Sequence, residues 1–187
     1  MNDTLKTIYE RRAVRKYKDQ PVDKRLVDEI IDAGRMAPSA INRQPWMFYV
    51  LTDQKQISIW STAIAKIAEK HFHLSHGMDS AKASDIIFHR APVVIFISAP
   101  KNNEWAALDI GMCSQNMMLA AKSLGLDTCP IGFAKFLDQT DNISELGLAT
   151  SEEIKLAITI GYGDEKPEVH ERKKDNVKLI KPVYKNL

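Results

Sequence analysis

Five cationic side chains fall within nine residues near the amino terminus, in the stretch ERRAVRKYK at 10–18. They are Arg11, Arg12, Arg15, Lys16 and Lys18. Guanidinium and ammonium groups that converge on one anion make short charge-assisted hydrogen bonds, whereas a single exposed cation contributes little. The cluster therefore has two interpretations, a phosphate-binding site and the solvated end of a helix.

A second basic cluster near the carboxyl terminus could meet the first one in the folded chain. Its members are His170, Arg172, Lys173 and Lys174. A phosphate site built from side chains needs two or three cations from separate segments, and this cluster could supply that convergence. Taken alone, each cluster is more often a solvated surface.

A loop rich in hydrogen-bonding groups, APSAINRQPW at 37–46, contains small residues, two prolines, an Asn and a Gln. It lies between a predicted helix and a predicted strand. Its backbone and amide groups could surround a flat polar ring, with Pro38 against the face of that ring. A plain turn is the alternative, and composition alone favours the turn.

Other cofactor and catalytic signatures are weak. A dinucleotide-binding loop needs three glycines, and GYGDEKP at 161–167 lacks the third and opens no predicted helix. His71, His73 and His76 have no carboxylate or thiolate at a familiar metal-binding spacing, so we predict no metal site. No Ser, Cys or Thr stands in a nucleophile motif such as Gly-x-Ser-x-Gly.

The overall composition is that of an ordinary globular chain. Its 187 residues are 44% hydrophobic and 27% charged, which suits one domain over 1–187. The net charge of +2 argues against a general nucleic-acid or membrane-surface field. Cys113 and Cys129 are too few for a disulfide framework. The start has no signal-peptide pattern and the apolar runs are shorter than the ~20 residues of a membrane helix, so we expect a soluble, cytoplasmic protein.

The elements that must position these residues mix helices and strands without strict βαβ alternation. Apolar spacing predicts helices at 4–12, 23–37, 54–70 and 104–125. Apolar runs predict strands at 44–53, 91–100, 126–133 and 154–163. The SEE at 151–153 resembles a helix cap, and 71–84 reads as a loop or short irregular helix. Together these patterns predict an α+β fold.

Two predicted elements are unusually apolar. The segment APVVIFISAP at 91–100 is typical of a strand buried on both faces in the middle of a sheet. The helix at 104–125 offers little polar surface, which indicates a place in the core or in a subunit interface.

Five segments, in this order, resemble the flavin-dependent nitroreductase family: ERRAVRKYKDQPVD, AGRMAPSAINRQPWMFYVL, APVVIFI, DIGMCSQNMMLAAKSLGLDTCPIG and IGYGDEKP. The match covers nearly the whole chain. The resemblance implies an α+β fold with a central mixed β-sheet flanked by helices. It also implies an intertwined homodimer with FMN at the subunit interface.

The resemblance further implies which residues bind the flavin. Arg11, Arg12 and Arg15 match the run that contacts the phosphate and pyrimidine end, and Arg172 matches a basic residue that reaches the phosphate. Pro38, Ser39 and Asn42 would approach from the partner subunit, and Pro130, Ile131 and Gly132 would lie beside the reactive edge. The neighbouring residues included in the predicted site are Ala13, Ala40, His170 and Lys173.

The chain departs from the family pattern at two of these places. Ala13 stands where many members carry Ser, which removes one possible flavin contact. The segment PIGF at 130–133 lacks the acidic residue that some members place after the Pro-Ile, and this change affects which electron acceptors fit.

The function implied by the resemblance is hydride transfer from NADH or NADPH to FMN, followed by reduction of a nitroaromatic, quinone or related small molecule in a ping-pong cycle. We assign no catalytic side chain, because the edge at 130–132 offers backbone amides and no titratable group. A specialised flavoprotein of the same fold, such as an enone reductase, dehalogenase or flavin-destroying enzyme, is an alternative. A basic nucleic-acid-binding module is a remote one, opposed by the near-neutral charge.

Overall fold

The computed structural model describes residues 1–72 and 86–180 of the chain. In chain order its elements are α1 (Asp3–Glu10), α2 (Lys24–Arg35), a 3₁₀ turn (Ala40–Asn42), β1 (Met47–Leu51), α3 (Gln54–Phe72), β2 (Val93–Pro100), α4 (Ala106–Ser123), β3 (Asp127–Ile131), a 3₁₀ helix (Gly132–Gln139), α5 (Ile143–Leu146) and β4 (Glu152–Gly161). None of the helices in these two ranges combines the length and apolar character that a bilayer crossing requires.

The four strands form one sheet in the order β1-β2-β4-β3, and each strand pairs antiparallel with its neighbour. The parallel component found within the described residues is an isolated bridge between Ala13 and Thr128. Every residue of β2 except Pro100 is buried, and β2 lies in the middle of the sheet. The predicted central, doubly buried strand at 91–100 is therefore confirmed.

Helices cover both faces of this sheet, because successive side chains of β2 point to opposite sides. Ile95 and Ile97 pack in one core cluster with residues of α2 and α4. Phe96 packs in the other cluster with residues of α3 and the second 3₁₀ helix, and its ring meets Trp60 edge to face at 5.5 Å. The result is a three-layer α+β architecture, as the sequence predicts.

The main error in the predicted elements concerns residues 151–153. Glu152 and Glu153 do not cap a helix; they begin β4 and pair with Pro100 and Ala99 of β2. Pairing along the sheet overrides the local capping pattern. The helical turn lies earlier, at α5, and Gly147 ends it with a left-handed φ of 67°. The prediction for 71–84 falls, after residue 72, on residues outside the described ranges.

The apolar helix predicted at 104–125 is α4, and it has two apolar faces. One face is buried against α2 and the sheet, and it includes Ile110, Cys113 and Met117. Gly34 of α2 permits this contact, since a Cβ there would lie 2.7 Å from Met117 Cγ. The other face carries Leu108, which is 57% exposed in the single chain.

Candidate functional site

Residues 13–18 run along the outer edge of the sheet, beside β3 and the end of β4. The Val14 N–H donates to the Thr128 carbonyl at 3.0 Å, and the Lys18 N–H donates to the Tyr162 carbonyl at 2.8 Å. These bonds hold the arginine-rich segment beside β3, whose last residues are the Pro-Ile of the Pro-Ile-Gly sequence. The fold thus brings together two segments that lie more than a hundred residues apart.

The Tyr17 side chain fixes the course of this segment. Its hydroxyl donates to the Val14 carbonyl at 2.7 Å and lies 2.8 Å from the Thr159 hydroxyl oxygen of β4. Thr159 in turn donates to the Cys129 carbonyl at 3.2 Å. Burial raises the pKa of the Tyr17 phenol above its ordinary value. Tyr17 therefore ties the basic segment to both β3 and β4.

Replacing Tyr17 by Phe should lower the free energy of unfolding by about 1–2 kcal/mol, because the Val14 carbonyl loses its donor. Since the folded-state pKa is raised, the contribution of this hydroxyl is complete below the ordinary tyrosine pKa of about 10 and declines as the pH rises above it. Denaturant titrations at pH 8 and pH 11 should show the difference between the two proteins shrinking at the higher pH. Exposed Tyr9→Phe is the control, and an undiminished difference would contradict the assignment.

Three arginines from the two ends of the chain come within electrostatic range of one another. The pKa of Arg11 is lowered first by burial and then by the positive charges of Arg12 and Arg172. Arg12 Nη1 donates to the carbonyls of Tyr9 and Arg11, while its buried Nε has no hydrogen-bond partner among the described residues. Like charges held together in this way repel one another and favour an anion between them.

The predicted residues of the carboxyl-terminal cluster, Arg172 included, lie at the surface. His170 and Lys173 flank Arg172 with exposed side chains, and the His170 carbonyl accepts a hydrogen bond from Arg172 Nη1 at 3.1 Å. Of these three tail residues, Arg172 is the one whose charge acts on Arg11. The tail contribution to the cluster therefore rests on Arg172.

A cavity of about 440 Å³ opens where β3 ends. The predicted residues Pro130, Ile131 and Gly132 line it, together with Arg15. Its wall also includes residues outside the predicted site, namely Ile86, Ile87, His89, Cys129, Phe133 and Lys135. The cavity is therefore partly apolar, and three basic side chains lie around it.

Arg15 and Cys129 both line the wall of this cavity. The Arg15 backbone N–H donates to the Glu165 carboxylate, and the positive charge of its guanidinium acts on the Cys129 thiol. Burial raises the pKa of that thiol, and the charges of Arg15 and Arg11 oppose the rise. Arg15 is thus fixed at its backbone while its charge points to the end of β3.

The loop at 37–44 forms part of a second pocket, together with the start of α4. The Ala40 N–H donates to Asp109 Oδ1 at 3.0 Å, and the Gln44 N–H donates to Ser39 Oγ at 2.9 Å. These bonds hold Ile41 and Asn42 at φ values of 48° and 57°, a region that β-branched residues rarely adopt. Strained backbone of this kind is characteristic of ligand sites.

Asp109 is the unexpected member of this second pocket. Its side chain is 1% exposed, and Oδ2 has no hydrogen-bond partner among the described residues. Asp109 is the one acidic residue of α4, and this was the available sequence signal, since burying a carboxylate is expensive unless it bonds. Its bond to Ala40 shows what it does: it holds the loop against α4.

Within one chain the predicted site residues therefore fall into two places. Arg15 and residues 130–132 line the cavity at β3, with the arginine cluster beside it. Pro38, Ser39 and Ala40 line the pocket at α4, and Asn42 belongs to the same 3₁₀ turn. The expected approach of this loop to a partner's flavin stays a prediction.

The histidines considered as metal ligands are only partly described. His71 stacks on Phe136 with ring centroids 5.1 Å apart, and its Nε2 lies 3.2 Å from Gln139 Oε1. His73 and His76 lie outside the described residues. Within 1–72 and 86–180, no group of three or more potential ligands is placed to hold a metal ion.

Comparison with known proteins decides what kind of site this is. The model of the nitroreductase family matches residues 8–162. The chain belongs to the nitroreductase family. Its members' chemistry makes the protein an oxidoreductase, and the family match confirms the predicted α+β fold.

Individual relatives of this nitroreductase agree with the family match. The 4-nitrobenzoate reductase of Pseudomonas putida is 32% identical, over 86% of this chain and 85% of the relative. A Methanothermobacter thermautotrophicus protein named as an NADH dehydrogenase/NAD(P)H nitroreductase is also 32% identical, over 88% of this chain and 80% of its own. A Desulfovibrio desulfuricans protein solved in complex with FMN is 25% identical with a TM-score of 0.76, over 98% of this chain and 99% of its own.

Proposed function

We propose that this nitroreductase binds FMN in the cavity at β3, with the phosphate at the cluster of Arg11, Arg12 and Arg172. The observation that carries the proposal is the convergence of two basic segments beside the Pro-Ile-Gly cavity. The unpartnered Nε of Arg12 and the mutual repulsion of the cluster both suit a bound phosphate. The FMN in the Desulfovibrio desulfuricans relative supports the same cofactor.

The remaining cavity residues fit a flat ring system. Ile87 and Ile131 offer apolar wall, and Arg15 places a positive charge where it would stabilise negative charge on a bound ring. Ala13 contributes no hydroxyl, and its backbone is occupied by the bridge to Thr128. FMN, when bound, would supply the hydride and electron chemistry, and the protein would supply position and charge.

The proposed reaction takes hydride from NADH or NADPH and passes electrons to a nitroaromatic or related acceptor, with donor and acceptor using the same cavity in turn. The name of the Methanothermobacter relative supports the donor. The name of the Pseudomonas relative favours nitro reduction over the enone reductase, dehalogenase and flavin-destroying alternatives. No proton-donating side chain is assigned, since 130–132 contribute backbone groups.

We also propose that two copies of the chain form a symmetric homodimer through the exposed face of α4. Leu108, Met112 and Leu119 recur on this face at helical spacing, just after Trp105, which is 49% exposed. Ile41 of the strained loop is 84% exposed beside them. A second copy would cover this apolar surface and bring the loop at 38–42 to the partner's cavity. The single domain over 1–187 and the cytoplasmic location stay predictions.

The purified protein should be yellow and should release about one FMN per chain when denatured. Absorbance spectra and chromatography of the released cofactor measure this directly. Anaerobic NADH should bleach the flavin band, and 4-nitrobenzoate should restore it. A colourless protein that also fails to take up added FMN would overturn the proposed function.

A further inference from the structure

We propose that Phe133 and Lys135 form a subsite for the electron acceptor, and that this subsite selects aromatic acceptors carrying an anionic group such as a carboxylate. The inference rests on the proposed function, because it needs FMN in the cavity at β3. It adds a substrate class and two residues that would determine it.

The charge of the cavity wall points to an anionic ligand. Arg15 and Lys135 place two positive charges on the cavity wall, and within the described residues no carboxylate lines it. Glu165 lies close by, but its carboxylate accepts the Arg15 backbone N–H. The wall therefore attracts anions. An FMN phosphate bound at the arginine cluster would not neutralise Lys135, so Lys135 would still attract a second anion.

The position of Lys135 separates it from the proposed flavin contacts. Arg15 lies on the edge segment beside Cys129 of β3, whereas Lys135 lies on the 3₁₀ helix that follows β3, and both side chains are exposed. Within the described part of the chain Lys135 has no ion-pair partner, and its Nζ lies 5.3 Å from the centroid of the Phe136 ring. Lys135 is an exposed cation of the cavity wall that lies over an aromatic ring, so it can meet an incoming anion.

The aromatic half of the subsite is Phe133. Its side chain is 36% exposed, it lines the same cavity, and its ring centroid lies 6.1 Å from that of Phe136. An aromatic acceptor packed against Phe133 would thus have a carboxylate within reach of Lys135. Phe133 would provide apolar contact for the ring of the acceptor, and Lys135, two residues later, would bind one anionic substituent on that ring.

The size of the effect follows from the exposure of Lys135. An exposed ion pair stabilises a complex only slightly. Protein and flavin on one side of the pair would exclude water and strengthen the attraction. We expect Lys135→Gln to lower kcat/KM for 4-nitrobenzoate about 3- to 10-fold relative to 4-nitrobenzamide, which is neutral and of similar size. Lys135→Glu should lower it further, and the preference of the wild type should weaken as salt is added.

The test compares these two acceptors with the FMN-loaded wild type, Lys135→Gln, Lys135→Glu and the control Lys66→Gln. Lys66 is an exposed lysine of α3 that lines a different groove. Because each ratio is taken within one protein, the different intrinsic reducibility of the two acceptors cancels when variants are compared. Stopped-flow reduction by NADH is measured separately in all four proteins, and it should be the same in the wild type and in the Lys66→Gln control.

Three outcomes would overturn the subsite: an unchanged acceptor ratio, an equal loss with both acceptors, or a loss confined to reduction by NADH. The last would show that Lys135 meets the phosphates of the dinucleotide instead. Each of these requires a yellow protein that reduces 4-nitrobenzamide, so each leaves the proposed function standing. A colourless protein would overturn the proposed function itself.

Discussion

Arg11→Gln is expected to weaken FMN binding about 10- to 100-fold while leaving riboflavin binding nearly unchanged. Riboflavin has the same ring system as FMN but lacks the phosphate, so it cannot make the contact between Arg11 and the phosphate. A charge-assisted hydrogen bond to a phosphate contributes about 1.5–3 kcal/mol, and each 1.4 kcal/mol is a factor of ten in the dissociation constant. Arg172→Gln should act in the same direction.

The physical reason lies in the like charges that the fold brings near one another in the apoprotein. Burial and the charges of Arg12 and Arg172 lower the pKa of Arg11, so its surroundings disfavour the positive charge when no ligand is bound. A dianionic phosphate reverses each of these unfavourable interactions at once. Removing Arg11 therefore relieves the apoprotein while it weakens the complex, and the apo variant should be no less stable than the wild type.

Titration of apoprotein by flavin fluorescence measures both ligands. Arg25→Gln is the matched control, because Arg25 is an exposed arginine that pairs with Asp23 3.0 Å away on α2. Equal losses for FMN and riboflavin would show a distorted ring pocket, and no loss for either would return Arg11 to the solvated-surface interpretation. Both results would contradict the phosphate assignment.

The elements with a strong apolar pattern could be predicted from the sequence. The strand at 91–100 is one continuous apolar run that is buried on both faces, and the helix at 104–125 buries side chains at helical spacing, so the pattern and the fold agree. The capping pattern at 151–153 failed because Glu152 pairs with Pro100 in the sheet. A local signal with no apolar period is easily overridden by pairing over a long sequence distance.

The candidate site was predictable only where its residues stand in clusters or match the family. Both basic clusters could be identified, but only the fold shows that the charge of Arg172 acts on Arg11. Phe133 and Lys135 follow a strand on a 3₁₀ helix, whose short length gives no periodic pattern.

The conformation of the loop at 37–44 could not be predicted from its own residues. A β-branched residue at the φ of Ile41 contradicts local preference, and the bond that helps to hold the loop comes from Asp109, 69 residues away from Ala40. Such a conformation depends on a distant partner, so no local pattern encodes it. Whether this loop contributes to the proposed FMN site of a partner chain then depends on how two chains associate.

Leu108→Glu is expected to convert a yellow dimer into a monomer with little bound FMN. In a symmetric interface the new carboxylate appears twice, and burying an unpaired charge costs several kcal/mol, so dimer dissociation should rise by at least ~1000-fold. The monomer itself should still fold, because Leu108 is 57% exposed and an acidic side chain in the first turn of α4 is favoured by the helix dipole.

The loss of FMN would follow from the loss of the partner's loop. In the single chain Pro38 and Ser39 line the pocket at α4 and not the cavity at β3, so the flavin of a monomer would lack the contacts predicted from the partner's loop. Sedimentation and the visible spectrum, measured at micromolar protein, report association and flavin content together. Ile59→Glu is the control, since Ile59 is 47% exposed on α3, away from α4, and its replacement should leave a yellow dimer. If Leu108→Glu stays a dimer, the interface lies elsewhere; if it is a monomer that keeps its FMN, each chain holds the cofactor alone and the shared site is wrong.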